Sequence, residues 1–142
     1  MLLDGVALGF LGFLCFTIAS RWSDLSESIP GAGTTSIAVL FAAPLLGIAF
    51  FLAFSYLRRI PHRFNYIVSI TEENAERQYR NALLLLGVVK VETSAMFSYL
   101  GWYSVRTALG EHREAGWSSL PVMAVILLAT VGLFGYRSTR LK

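Results

Sequence analysis

The chain has 142 residues, which suits one domain, and a formal net charge of +3. Apolar residues make up 55% and charged residues only 15%, against about a quarter charged in ordinary soluble domains, so the apolar excess is not that of a small soluble core. The positive charges lie at the edges of apolar stretches and not along one soluble face, which excludes a nucleic-acid partner.

Four stretches concentrate the apolar residues: Leu2–Ser20, Ser36–Leu57, Ala82–Trp102 and Ser119–Tyr136. A helix rises about 1.5 Å per residue, so roughly 20 apolar residues cross a hydrocarbon layer of about 30 Å. Inside a bilayer every backbone amide needs an internal partner, and runs such as Ala82 to Leu86 lack the alternation of barrel strands. The expected fold class is therefore an all-α integral membrane protein. A single domain of four transmembrane helices is predicted, over about 2–21, 36–57, 72–109 and 119–136.

The first helix opens Met1-Leu2-Leu3-Asp4, acidic where a signal peptide is basic, so a retained helix is expected although Thr17-Ile18-Ala19 is a passable cleavage site. Its Cys15 permits no intramolecular disulfide and reads as a packing residue. Gly5 and Gly9 form a GxxxG pair with Gly12 one turn on. Ala38 and Ala42 repeat the spacing in the second helix, and Gly132 and Gly135 thin the fourth. Such faces let helix backbones approach closely, either within this bundle, the reading adopted, or against a foreign helix. A polar loop over Ser23–Thr35 follows, with turn chemistry at Ile29-Pro30-Gly31-Ala32-Gly33. Pro44 is expected to kink the second helix, its lost donor being covered by neighbouring helices.

A polar connector, Arg58 to Arg80, holds five of the ten arginines. Thr71 is the expected N-cap of the third helix, with Glu72 and Glu73 in a first turn that favours negative charge. From there the pattern runs to Leu109, 38 residues or about 57 Å, so its first turns must project beyond the bilayer. Glu73 with Arg77, and Glu76 with Arg80, are spaced for i,i+4 pairs. The fourth helix is expected to start around Leu120-Pro121, after a short polar loop, and to lead into the basic tail Arg137–Lys142.

With four crossings, the N-terminus, the connector and the C-terminal tail share one side and carry eight basic side chains. The other side has three, Arg21, Arg106 and Arg113. The excess predicts that both termini and the connector face the cytoplasm, with the third helix projecting there. Trp22, Trp102, Tyr103 and Trp117 then mark outer ends and Tyr56, Tyr79 and Tyr136 inner ones, as an interfacial belt requires.

Lys90 and Glu92 interrupt the third apolar stretch and are the candidate intramembrane functional residues. A charge at a span's centre costs about 2.5–3.5 kcal/mol on insertion scales. Two residues apart they point in different directions and cannot pair with each other. If the span is instead Val91–Gly110, Lys90 snorkels to the interface and Glu92 lies a turn inside; this cheaper register is the one adopted. Thr93, Met96 and Tyr99 could line the face of Glu92. No catalytic set, cofactor motif or metal site emerges, since His62 and His112 fall on opposite sides and neither lies in a span. The basic connector could also grip anionic lipid headgroups.

Within the connector, Pro61-His62-Arg63-Phe64-Asn65-Tyr66 and Ile70-Thr71-Glu72-Glu73-Asn74-Ala75-Glu76-Arg77-Gln78-Tyr79-Arg80 stand in order. They resemble the P-H-x-F-N-Y-P-V-x-I-T-E-E-N-A-x-R-Q-Y stretch of a family of uncharacterised small bacterial membrane proteins, whose domain also accompanies SdpI-type immunity proteins. The resemblance covers residues 20 to 109, with Ile67 where the family carries proline. The family's outer-loop signature is shortened here: Leu25-Ser26-Glu27-Ser28-Ile29-Pro30 resembles its opening and passes straight to Gly31-Ala32-Gly33, without the family's histidine, aspartate and tryptophan. The resemblance implies a four-helix fold in a bacterial inner membrane and a non-enzymatic immunity or sensing role. The shortened loop and small-residue faces equally suit an accessory subunit of a larger membrane complex, respiratory or photosynthetic. A small transporter, resting on Glu92 and Lys90, is a third reading. The expected partners are membrane lipids and other membrane subunits or a second copy, with no cofactor and no nucleic acid.

Overall fold

The computed structural model describes residues 1–28, 34–111 and 119–141. Five α-helices follow one another, α1 (Leu2–Ser20), α2 (Trp22–Ser28), α3 (Thr34–Leu57), α4 (Ala75–Ala108) and α5 (Leu120–Arg140), with a 3-10 turn at Pro61–Arg63 between α3 and α4. The architecture is all-α, and α1, α3, α4 and α5 are each long and apolar enough to cross a membrane. Local chemistry supports the ends: Asp4 stands in the first turn of α1, Pro121 in that of α5, and Arg137 and Arg140 in the last turn of α5, each on the side the helix dipole favours or tolerates.

The bundle is built around α4. It lies between α1, α3 and α5, and most of the interhelical contact in the molecule is made on its surface. Leu3 meets Gly87 and Leu14 meets Gly101, so α1 runs parallel to α4. Gly47 against Phe97 and Ser55 against Lys90 set α3 antiparallel to α4, and Thr130 against Glu92 with Ser138 against Gln78 do the same for α5. At 34 residues α4 is about 51 Å long, and its first 12 residues extend about 18 Å past the level of Gly87 and the start of α1. The last turns of α5 run beside that extension.

Polar and apolar residues sit the opposite way round from a soluble bundle. Gln78, Asn81, Lys90, Thr93, Ser94 and Ser98 of α4 are buried, while Leu8, Phe13, Phe16, Leu45, Leu52, Leu128 and Leu133 face outward. Lipid tails are as apolar as leucine, so burying leucine gains little there, whereas a polar side chain left in the tails lacks a partner. A small apolar cluster, Leu14, Ile18, Leu25, Leu40 and Val105, closes the end of the bundle away from the connector.

Three local expectations are corrected. The stretch after α1 begins as a short helix instead of a polar loop, because Leu25 needs burial and reaches 1% exposure beneath α1 and α4; the turn at 29–33 lies outside the described residues. Thr71 is not the cap of the third long helix. Asn74 occupies that position, and its side chain turns back: Oδ1 accepts from the Thr71 amide at 2.9 Å and Nδ2 donates to the Ser69 carbonyl at 3.1 Å. Residues 71–74 are thereby held as a turn, so α4 starts at Ala75 and Glu72 and Glu73 stay outside it. Cys15 is not a packing residue; it is free and faces outward.

Candidate functional site

At the connector end of the bundle a carboxylate gathers two cations from other helices. Asp4 stands in the first turn of α1, where its backbone position brings it beside the end of α3 and the middle of α4. Its Oδ1 accepts from Lys90 Nζ, and both its oxygens accept from Arg58 Nη1, at 2.9 and 3.1 Å. Lys90 also donates to Ser55 Oγ at 3.1 Å and stands 4.6 Å from the centre of the Phe51 ring. The lysine is fully buried, at 0% exposure, while the side chains of Asp4 and Arg58 are 31% and 29% exposed. Lys90 thus reaches the level of the first turn of α1, as the interfacial register expects, but ends in protein and not in water. Its four methylenes run inside the bundle, and the helices on either side supply the acceptors that snorkelling would have found in water.

Glu92 points to another side of α4. Its Oε1 accepts from Thr130 of α5 at 2.5 Å, and its Oε2 is buried with no hydrogen-bond partner among the described residues. Lys90 and Glu92 do not pair, as their spacing required. Thr93 is turned inward to the carbonyls of Val89 and Lys90, and the glutamate's partner comes from α5. Nearer the connector, Gln78 and Ser138 exchange hydrogen bonds at 2.6 and 2.9 Å, Gln78 also donates to the Leu141 carbonyl at 3.0 Å, and Asn81 donates to the Phe134 carbonyl at 3.1 Å. These bonds latch α5 to the projecting part of α4.

The connector motif divides in two. Pro61, Phe64, Tyr66, Asn74 and Tyr79 build the connector's own fold: Tyr66 Oη donates to the Pro61 carbonyl at 2.8 Å, and the Tyr66 ring stands 6.3 Å from Phe64 and 5.7 Å from Tyr79. Partial burial and the neighbouring Tyr79 hold the Tyr66 phenol above its ordinary pKa. His62, Asn65, Thr71, Glu72, Glu73 and Arg77 are exposed. The expected pairs Glu73–Arg77 and Glu76–Arg80 do not form ion pairs; Glu73 lies outside the helix, and both members of the second pair extend into solvent. Among the described residues no three of His, Cys, Asp and Glu gather as a metal site requires, and His112 lies outside those residues.

The small-residue faces require correction too. A Cβ on Gly5, Gly9, Gly12 or Gly132 would meet nothing within 4 Å among the described residues, and Ala42 is exposed, so none of them marks a close approach to a described neighbouring helix. Gly135 touches only the Ile67 side chain, and the side chain of Ala38 lies outside the described residues. The close approaches use isolated glycines: Gly47 against Leu11 and Phe97, Gly87 against Leu3, and Gly101 against Leu14. The open glycines of α1 lie opposite its buried face, Ala7, Leu11, Leu14 and Ile18. Beside them, between α1 and α4, runs a cleft of about 540 Å³ lined by Val6, Gly9, Phe10 and Phe13 on one wall and Ala95, Ser98, Tyr99 and Trp102 on the other.

No family model, no curated protein and no solved structure matches this chain.

Sequence reasoning missed Asp4, Ser55 and Thr130 as partners. For Asp4 a signal existed: it is the one acid in the first apolar stretch, and Lys90 is the one base in the third.

Proposed function

We propose that this protein acts by binding and not by catalysis, as an accessory subunit that holds a transmembrane helix of a different membrane protein in the α1–α4 cleft. One observation carries the reading. A Cβ on Gly5, Gly9 or Gly12 would meet nothing within 4 Å among the described residues, and Gly9 lines the apolar cleft. Elsewhere in this molecule glycine marks the points where helices touch, at positions 47, 87 and 101. A stripe of three on an outward face is suited to the same use with a helix from outside.

The occupant is a foreign helix and not a second copy. Two copies joined by a two-fold axis present the same surface to each other. The open glycines bring no side chain into a cleft of about 540 Å³, and Val6, Phe10 and Phe13 already form its wall, so a helix with side chains of its own is the better filling. Transport is the weaker reading: Lys90 is committed to Asp4 and Ser55, and one oxygen of Glu92 to Thr130. The immunity or sensor role rests on the connector resemblance, and much of that motif serves to fold the connector. For localisation we place the protein in a bacterial inner membrane with the connector in the cytoplasm. The connector end gathers Arg58, Arg59, Arg63, Arg77, Arg80, Arg137 and Arg140, while among the described residues the other end has Arg21 and Arg106.

A photo-crosslinking residue in place of Phe13, in native membranes, tests the reading. The expected product joins Phe13 to a transmembrane segment of a different protein and disappears in Gly9→Ile, whose thermal stability should equal the parent's. Crosslinks to lipid alone, or to a second copy of this chain, overturn it.

A further inference from the structure

Four arginines occupy one flank of the contact between α4 and α5. On α4, Arg77 immediately precedes Gln78 and Arg80 precedes Asn81; on α5, Arg137 precedes Ser138 and Arg140 precedes Leu141. Gln78 and Asn81 on α4, and Phe134, Ser138 and Leu141 on the α5 side, supply the hydrogen bonds that join the two helices at this end. One residue is about 100° of helical rotation. In two antiparallel right-handed helices the residue preceding each contact therefore falls on the same side of the pair. All four arginines point to that side, and all four are exposed.

Their level is fixed as well. The apolar run of α4 begins at Ala82, directly after Arg80, and that of α5 ends at Tyr136, directly before Arg137. The patch therefore stands just past the polar edge of both runs, from which long arginine side chains can reach lipid headgroups. Along each helix the two arginines are separated by about 4.5 Å, and packed helices lie about 8–10 Å apart, so the guanidinium groups can converge on one or two phosphate groups. The local acids do not neutralise it: Glu72, Glu73 and Glu76 share this end, yet among the described residues no ion pair engages Arg77, Arg80, Arg137 or Arg140. Arg140 is instead steadied by Tyr136, whose Oη accepts from its Nη2 at 2.8 Å and whose ring centre lies 5.3 Å away.

We infer that the Arg77–Arg80–Arg137–Arg140 flank is a binding site for the phosphate of an anionic phospholipid. Guanidinium forks match phosphate oxygens two at a time, and a basic patch between helices at the membrane surface is the setting in which lipid phosphates are held. The site is separate from the cleft between α1 and α4 and does not depend on what fills that cleft.

Native mass spectrometry of the detergent-solubilised full chain, titrated with phosphatidylglycerol and with phosphatidylcholine, tests the site. Phosphatidylglycerol should bind at least tenfold more tightly. Arg77→Gln with Arg80→Gln should weaken it roughly thirtyfold, taking about one tenfold-scale loss for every one to two arginines removed near a surface. Arg59→Gln with Arg63→Gln, in the connector, should weaken it less than threefold. Arg77→Lys with Arg80→Lys keeps the charge without the fork and should recover part of the loss, which separates binding from misfolding. Equal affinity for the two lipids, or an unchanged affinity in the quadruple glutamine variant, overturns the proposal. So does full competition by inorganic phosphate at the lipid's own concentration, which would make the site one for a free anion.

Discussion

Asp4→Asn should be the most damaging conservative change in the molecule. It removes the charge that compensates Lys90, and the lysine has no route to water from 0% exposure. What remains for the ammonium is Ser55 Oγ at 3.1 Å, the face of Phe51 at 4.6 Å and an amide oxygen in place of a carboxylate, with the Arg58 guanidinium now an uncompensated neighbour. Breaking a buried pair from one side costs about 3–5 kcal/mol. Asp4 and Arg58 are about a third exposed, which argues for the lower end, so about 3 kcal/mol is expected. That is a shift of roughly 150-fold in the unfolding equilibrium. Lys90→Met removes the desolvated charge, fills the same volume and leaves Asp4 paired with Arg58, so it should cost about 1 kcal/mol or less. The double variant should then resemble Lys90→Met and not the sum of the two single changes, giving a coupling of about 3 kcal/mol. Equilibrium unfolding in mixed micelles measures all four proteins. Additive effects, or a Lys90→Met more damaging than Asp4→Asn, would refute the assignment of Lys90 to Asp4.

The glycines give a contrast on one helix pair. A Cβ on Gly101 would stand 2.5 Å from Leu14 Cδ1, so Gly101→Ala should lower stability by about 1–3 kcal/mol, whereas Gly9→Ala, in open space, should leave melting of the isolated protein unchanged or slightly raised. Equal effects at the two sites would show that α1 is turned differently. Thr130→Val strips the hydroxyl donor from Glu92, whose other oxygen is already unpaired, and should cost about 1–3 kcal/mol in the same unfolding assay; no loss of stability would mean that the glutamate finds another donor. At the connector, the Tyr66 phenol titrates above the ordinary value near 10, so its neutral form is favoured by folding. Its contribution to stability is full below the unfolded value and declines as pH rises through the folded one. Ultraviolet titration should show a phenol that ionises later than an ordinary tyrosine, and Tyr66→Phe should remove that late step while costing about 1 kcal/mol through the lost bond to the Pro61 carbonyl.

The four spans were legible because length and apolar content are properties of a segment by itself, and the structure has them where the stretches Leu2–Ser20 and Ser36–Leu57 stand in the chain. What could not be read were properties of pairs. Lys90 seen alone reads as a lysine that finds its acceptors in water, and only the position of Asp4 on a different helix puts them inside the bundle. The same holds for glycine. The GxxxG spacing at Gly5 and Gly9 looks like an internal contact, yet the contacts are made by Gly47, Gly87 and Gly101, which have no pattern of their own and depend on which leucine or phenylalanine lies opposite. The start of α4 was misplaced for a local reason: Thr71 is a good cap by type, but Asn74 uses its amide to tie down the backbone of Ser69 and Thr71.

The ion pair also orders the protein's biogenesis. Asp4 precedes Lys90 by 86 residues, and Ser55 precedes it by 35. If the helices enter a bilayer in chain order, α1 and α3, which carry both acceptors, go in before the lysine does. The charge that would make α4 a poor candidate for insertion by itself meets a preformed acceptor as it arrives. Synthesised in the reverse order, the same four helices would have to release Lys90 into lipid with no partner waiting.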